Sequence, residues 1–277
     1  GKDKNGLLKI AMEANLWEEV DHMLDKNSKK KDFLVTCGEK RDTSSGLSDE
    51  AIHFAVRNGA PQTTLEKILK IDPECILHLG KHGQNVFHCA VMAVTPSADT
   101  ERLSFLSEAE KNAIKKQENK QKKTAKEFEP LILQRETKAG MLPIHFAAAC
   151  RKLNLVNFFL EQNDIGFGNN IKEDEDQFGL TPLHWAVQVD EHFYPEDVDP
   201  EDALALVKAL MDEEGKLRNN ETNKTKHTSS LTETKDKGQF SPLQLALISD
   251  QSSPDIIKFL MQKPATIASH DTREIDI

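Results

Sequence analysis

Of the 277 residues only four are cysteine, Cys37, Cys75, Cys89 and Cys150, and no two stand in Cys-x-x-Cys spacing. A disulfide framework or a thiolate metal knuckle is therefore not expected, and the thiols read as reduced, which places the site of action in a reducing compartment. Aromatic residues make up 6%, with two Trp and one Tyr, so any core must be built mainly from aliphatic side chains. Cations are outnumbered, 36 Lys and Arg against 46 Asp and Glu, for a net charge of −10. That balance argues against nucleic acid, whose binding rests on neutralising phosphates, and against an anionic membrane surface. No apolar run approaches the ~20 residues of a membrane span and no signal peptide opens the chain, so a soluble protein without membrane insertion is expected. No Walker-type phosphate loop, paired-glycine dinucleotide loop or hydrolase nucleophile elbow occurs. The chain begins at Gly1 without an initiator Met, and the expectation is a piece of a longer protein.

What the sequence does contain is one junction used repeatedly. From Asp176 to Val187 it reads Asp-Gln-Phe-Gly-Leu-Thr-Pro-Leu-His-Trp-Ala-Val. Gly179 can take the positive φ of a tight turn, Thr181 can cap a helix through its hydroxyl, and Pro182 suits the first helical position, where no amide donor is needed. His184 follows Thr181 by three residues, so its ring can fold back on the cap. Thr137 to Ala148 repeats the pattern with Gly140, Pro143 and His145, and Asp236 to Leu247 repeats it with Ser241, Pro242 and Gln244. Weaker copies carry Asn85 with His88, and Glu50 with His53. A second apolar spacing follows most copies: Val156, Phe159, Leu160; Val207, Leu210, Met211; Ile257, Leu260, Met261.

These turn-Pro-His junctions with a following helix resemble the ankyrin repeat over most of the chain. The resemblance implies an all-α solenoid of about six helix-pair repeats joined by short hairpin turns, with inserted loops and a helix. The whole chain, 1–277, reads as a single ankyrin-repeat domain. Its repeats are expected near 6–25, 47–72, 80–133 with a charged helical insertion, 137–162, 176–212 with an acidic insertion, and 236–263, with 264–277 unassigned. The first repeat has Lys9 where the motif has His, in keeping with the atypical character of terminal repeats. Phe33-Leu34-Val35 is expected in an extended hairpin. In repeat three either Leu103, Phe105 and Leu106 or Phe128, Leu131 and Ile132 could form the second helix. Ser107 with Glu110 reads as a capping box opening a long solvated helix. The acidic insertion, 190–202, holds Phe193 and Tyr194, and the loop 218–235 has almost nothing apolar to bury.

Catalytic and metal chemistry find little footing. His53, His88, His145 and His184 fall one per repeat, about 10 Å apart at helix-packing distance, too far to share a metal. His88 beside Cys89, and His145 five residues before Cys150, diverge around a helix rather than face each other. Counting from Asp197, a calcium loop would need Gly and Glu where Asp202 and Lys208 stand. The histidines, with Thr181 and Pro182, are therefore read as structural, and Trp185 as core.

The resemblance implies a non-enzymatic scaffold that holds a protein partner in a concave groove, with no cofactor, metal, nucleic acid or small-molecule substrate. Irregular repeats and a Lys/Glu/Asn-rich composition also resemble ankyrin-containing effectors that intracellular bacteria secrete into the host cytoplasm. The alternative is a substrate-recruiting module of an enzyme whose catalytic domain lies outside these residues. In the family the groove is lined by the two residues before the turn Gly, the one after it, and the two ending the first helix. In repeat five these are Gln177, Phe178, Leu180, Gln188 and Val189; in repeat four Lys138, Ala139, Met141, Ala149 and Cys150. Repeat six offers Lys237, Gly238, Phe240, Ile248 and Ser249, with Gln239 at the turn-Gly position. Met141, Phe178, Leu180 and Phe240 are expected to form an exposed apolar strip, the kind of surface that marks a contact site.

Overall fold

The computed structural model describes residues 4–35, 49–93, 100–121, 130–136, 138–161, 175–188, 200–220, 234–249 and 252–262. Helices occupy Lys4–Glu13 (α1), Trp17–Lys26 (α2), Asp32–Val35 (α3), Ala51–Arg57 (α4), Gln62–Ile71 (α5), Val86–Val91 (α6) and Thr100–Gln121 (α7). They continue with Pro143–Ala149 (α8), Leu153–Glu161 (α9), Pro182–Val187 (α10), Pro200–Asn220 (α11), Pro242–Ile248 (α12) and Pro254–Gln262 (α13). No strand occurs among the described residues, and the fold is all-α.

Most of these helices are too short to persist alone in water, where nucleation is costly, so packing must hold them. It does so in two directions. Within each unit α1 lies on α2, α4 on α5, α6 on α7, α8 on α9, α10 on α11 and α12 on α13. Between units the first helices stack in the order α1, α4, α6, α8, α10, α12, while α2 meets α5, and α7, α9, α11 and α13 follow one another. The seam is apolar at one recurring position, Leu8, Ile52, Phe87, Ile144 and Leu183, all fully buried. Each such side chain contributes roughly 1.5–3 kcal/mol by leaving water. Phe87 meets Phe159 edge to face at 6.5 Å. The link from first to second helix runs through a left-handed residue, Asn15, Gly59 or Arg151, the conformation that ends a helix while satisfying its last carbonyls.

The structure corrects two expectations and decides between the two alternatives left open in repeat three. Phe33 and Leu34 are buried within the short helix α3 rather than in a hairpin. The second helix of repeat three is α7, which buries Leu103 and Leu106, whereas Leu131–Leu133 forms a 3-10 turn. Ser107 and Glu110 do not cap a helix: α7 starts at Thr100, so the Ser107 amide is already inside it. Glu110 is buried, and its carboxylate accepts the Leu131 amide at 2.7 Å. Val189, Phe193, Tyr194, the polar loop from 221 to 233 and the tail from 263 fall outside the described residues.

Candidate functional site

Three turns precede α8, α10 and α12 and share one construction. The amide of Glu136 donates to the Met141 carbonyl at 2.9 Å, that of Asp176 to Leu180 at 3.0 Å, and that of Asp236 to Phe240 at 3.0 Å. An acidic side chain fills each turn by accepting its inward amides. Asp176 Oδ1 takes Phe178 at 2.8 Å and Leu180 at 2.9 Å, and its Oδ2 takes the Trp185 indole at 3.0 Å. Asp236 takes Phe240 at 2.7 Å, while Glu136 takes Lys138 at 2.6 Å and also Ala139. The tight residue is left-handed in all three, Gly140 at φ 68°, Gly179 at 76° and Gln239 at 67°. Gln239 thus does the work of glycine, and repeat six keeps the register of its neighbours.

The turn tips are tied side by side. The Gln177 amide donates to the Ala139 carbonyl at 2.8 Å and the Lys237 amide to the Phe178 carbonyl at 2.9 Å. Gln177 Nε2 adds a bond to the Lys138 carbonyl at 2.6 Å. Arg135 reaches the carbonyls of Gly140 and Glu175, and Lys237 Nζ reaches that of Gln177. Backbone thus joins backbone across unit boundaries, giving one continuous edge.

Behind the edge, the motif histidines join cap to neighbour. Nδ1 of His53, His88, His145 and His184 accepts the amide of Glu50, Asn85, Leu142 and Thr181 at 3.1, 3.2, 3.0 and 3.1 Å. A nitrogen that accepts carries no proton, so the proton sits on Nε2. From there it meets a carbonyl of the following unit: His53 to His78 at 3.2 Å, His88 to Met141 at 3.0 Å, His184 to Phe240 at 3.2 Å. Burial pushes the His88 imidazole down to about 4, and burial lowers His53 and His184 as well. His53, His88 and His184, engaged on both nitrogens, act as braces. In repeat six Gln244 Oε1 accepts the Ser241 amide at 2.8 Å, making the same cap without a ring.

A turn, a capped first helix and a second helix, stacked, with His53, His88 and His184 each reaching a carbonyl further along the chain, define the architecture. It is an all-α array of helix pairs, consistent with an ankyrin-like solenoid. No family model matches the chain, and no curated protein matches it. Among solved structures, the chain is similar to one described as the Bd0816 predatory endopeptidase from Bdellovibrio bacteriovorus in complex with immunity protein Bd3460. That match has 14% identity and a TM-score of 0.49 and covers 93% of this chain and 97% of the other. It is similar also to the ankyrin repeat domain of Bcl-3, with 17% identity, a TM-score of 0.34, and coverage of 92% and 97%.

The expected strip is divided. Phe178 is 51% exposed and Phe240 41%, and Gln177, Lys138 and Lys237 beside them are exposed too. Met141 and Leu180 are buried, a correction, because the residue after the turn glycine faces the seam that the next turn closes. Phe240 occupies that same position and is open because no further described turn lies against it. Ala149 and Cys150 are buried, and Gln188 is half-buried. Among the described cysteines, Cys75, Cys89 and Cys150 are free and buried. Cys89 takes a bond from Arg57 Nη2 at 3.3 Å, and burial pushes its thiol up to about 11, so it is not a nucleophile at neutral pH. Among the described residues, no group of His, Cys, Asp and Glu could hold a metal ion, and no helix is long and apolar enough to cross a membrane. A cleft of about 400 Å³ opens between α5 and α7, lined by Leu69, Phe105, Ala109 and Ala113 among others.

Proposed function

We propose that the edge of tied turn tips is a docking surface for a partner protein, with Phe178 as its central anchor and Phe240 beside the next tip. The observation that carries this is Phe178: a large aromatic, half exposed, on a backbone pinned on both sides and so already ordered before any partner arrives. Such preorganisation removes part of the entropic cost of binding, and buried aromatics dominate interface energetics. Gln177, Gln188, Lys138 and Lys237 then form a polar rim. Two finer readings rest on the same surface: a scaffold acting as an effector secreted into a host cell, and a module that recruits substrate to a catalytic domain elsewhere.

The test compares the chain with a Phe178→Ser, Phe240→Ser double variant. Both side chains face water, so the urea midpoint should stay nearly unchanged. Affinity for a protein captured from lysate by the unaltered chain should weaken by about 2 kcal/mol or more, as for an interface hot spot. Undiminished capture by a well-folded variant would remove the anchor and with it this reading.

A further inference from the structure

The first and last described units each present a face built as an interior. The first helices can be laid over one another on the place that histidine fills in four of them, Lys9 in α1 and Gln244 in α12. Three residues after it stand Met12, Val56, Val91, Ala148 and Val187, all fully buried, and then Leu247 in α12, which is 59% exposed. A position covered in every unit but the last faces the unit that follows. The second helices agree: Leu24, Leu160 and Met211 are buried, while Met261, at the same place in α13, is 66% exposed. Leu69 in α5 is half-buried, where the cleft beside α7 opens. At the other end the asymmetry reverses. Two residues before the histidine place, Ala51, Val86, Pro143, Pro182 and Pro242 are buried and Leu7 is 55% exposed. One residue after it, Phe54, Cys89, Phe146 and Trp185 are buried and Ile10 is 60% exposed. These positions face the unit that precedes.

We propose that these two faces bind each other, so that copies of this chain stack head to tail, with Leu247 and Met261 of one against Leu7 and Ile10 of the next. Inside the chain, each seam between units joins a forward face to a backward face, from α1 on α4 to α10 on α12. The contact between copies continues that seam with the same positions and the same apolar chemistry. A partner of any other shape has to imitate what the chain already carries. Two forward faces brought together do not reproduce the seam, so the contact is heterologous and grows into a ring or an open chain. Repeat arrays that stand alone in water carry polar outer faces at their ends. Here Leu247, Met261 and the adjoining Ile248 stand in water instead, and covering them drives the association.

Analytical ultracentrifugation of the chain and two double variants tests this. The mean mass of the unaltered chain should rise with concentration and exceed that of the monomer by about 100 μM, where even a weak specific contact is populated. Leu247→Glu with Met261→Glu removes the forward face, and Leu7→Glu with Ile10→Glu the backward one. All four side chains stand in water, so urea midpoints measured at low concentration should stay unchanged, and each variant alone should remain monomeric. Mixed in equal amounts, the two variants keep one intact face of each kind and should form a pair, one copy of each, that grows no further. An unaltered chain that stays monomeric over that range overturns the proposal. So does self-association of either variant alone, which means that a face binds its own kind, and so does a mixture that stays monomeric. A lowered urea midpoint in either variant means that its side chains pack within the chain, and likewise rules out the stack. Phe178 and Phe240 are unaltered throughout, so these outcomes bear on stacking and leave the turn-tip docking surface to its own test.

Discussion

His88 Nε2 donates to the carbonyl of Met141, 53 positions further along the chain, while its Nδ1 receives the amide of Asn85 in its own cap. The ring thus satisfies two buried backbone groups that belong to different units. Replacing it by alanine leaves both without a partner, so His88→Ala should lower unfolding free energy by about 1 to 3 kcal/mol in urea titrations. His88→Gln should lose less, because Gln244 shows that an amide oxygen can take the cap amide. Chelators should change neither protein. Equal stability of His88→Ala and the unaltered chain would show that the bridge contributes nothing.

Acid should undo the same bridges. Protonating any of these rings puts a hydrogen on Nδ1 facing an amide hydrogen, so the folded chain resists it, and burial holds His88 down to about 4. The unfolded chain binds that proton near the ordinary 6.5. The resulting stability is fully present above pH 6.5 and is lost as pH falls towards about 4, by roughly 3 kcal/mol for His88 on a 1.36 kcal/mol per unit scale. His53 and His184 are lowered and add in the same direction. His78 is raised by its bond to Glu50 and works the opposite way, but it is largely solvent-screened and contributes little. Urea midpoints from pH 7.5 to 4.5 should fall steeply, and less steeply in His88→Gln. Parallel slopes would contradict the assignment.

Two turn substitutions should act with opposite signs. A Cβ on Gly179 would lie 3.0 Å from the Lys237 amide nitrogen and 3.3 Å from Asp236 Cα, at φ +76°. Gly179→Ala should therefore cost about 1 to 2 kcal/mol from the left-handed backbone, and more from the clash. Gln239 holds φ +67° with a side chain, so Gln239→Gly should relieve strain and stabilise by about 0.5 kcal/mol. Thermal melts of the two variants should move in opposite directions; a drop in both would mean that the turn of repeat six needs its Gln side chain.

The turn-helix junction was legible in the sequence because its determinants are local: a left-handed residue, a cap, a proline and a ring within three positions of the cap. What escaped was set by neighbours distant in sequence. The His ring was legible as a brace on its own turn, but the carbonyl on Nε2 lies in another unit and leaves no trace in spacing. Met141 and Leu180 read as exposed because each follows a turn glycine, yet whether that position meets water depends on the next turn. Ser107 and Glu110 have the letters of a cap, and only the true start of α7 at Thr100 shows that they sit mid-helix. A buried Glu110 holding the Leu131 amide looks from sequence like any solvated charge.

The histidine bridges also govern how the array comes apart. A unit that opens withdraws the carbonyl on which the preceding ring depends, and that ring is what holds the preceding cap, so disorder in one unit lowers the barrier to disorder in the one before it. Repeat arrays behave as chains of nearest-neighbour couplings, and the His88 imidazole adds one such coupling to the helix packing between its unit and the next. The rings therefore add to cooperativity: loss of His88 should loosen the α1–α7 side from the α8–α13 side, visible as two classes of amide exchange where the unaltered chain shows one.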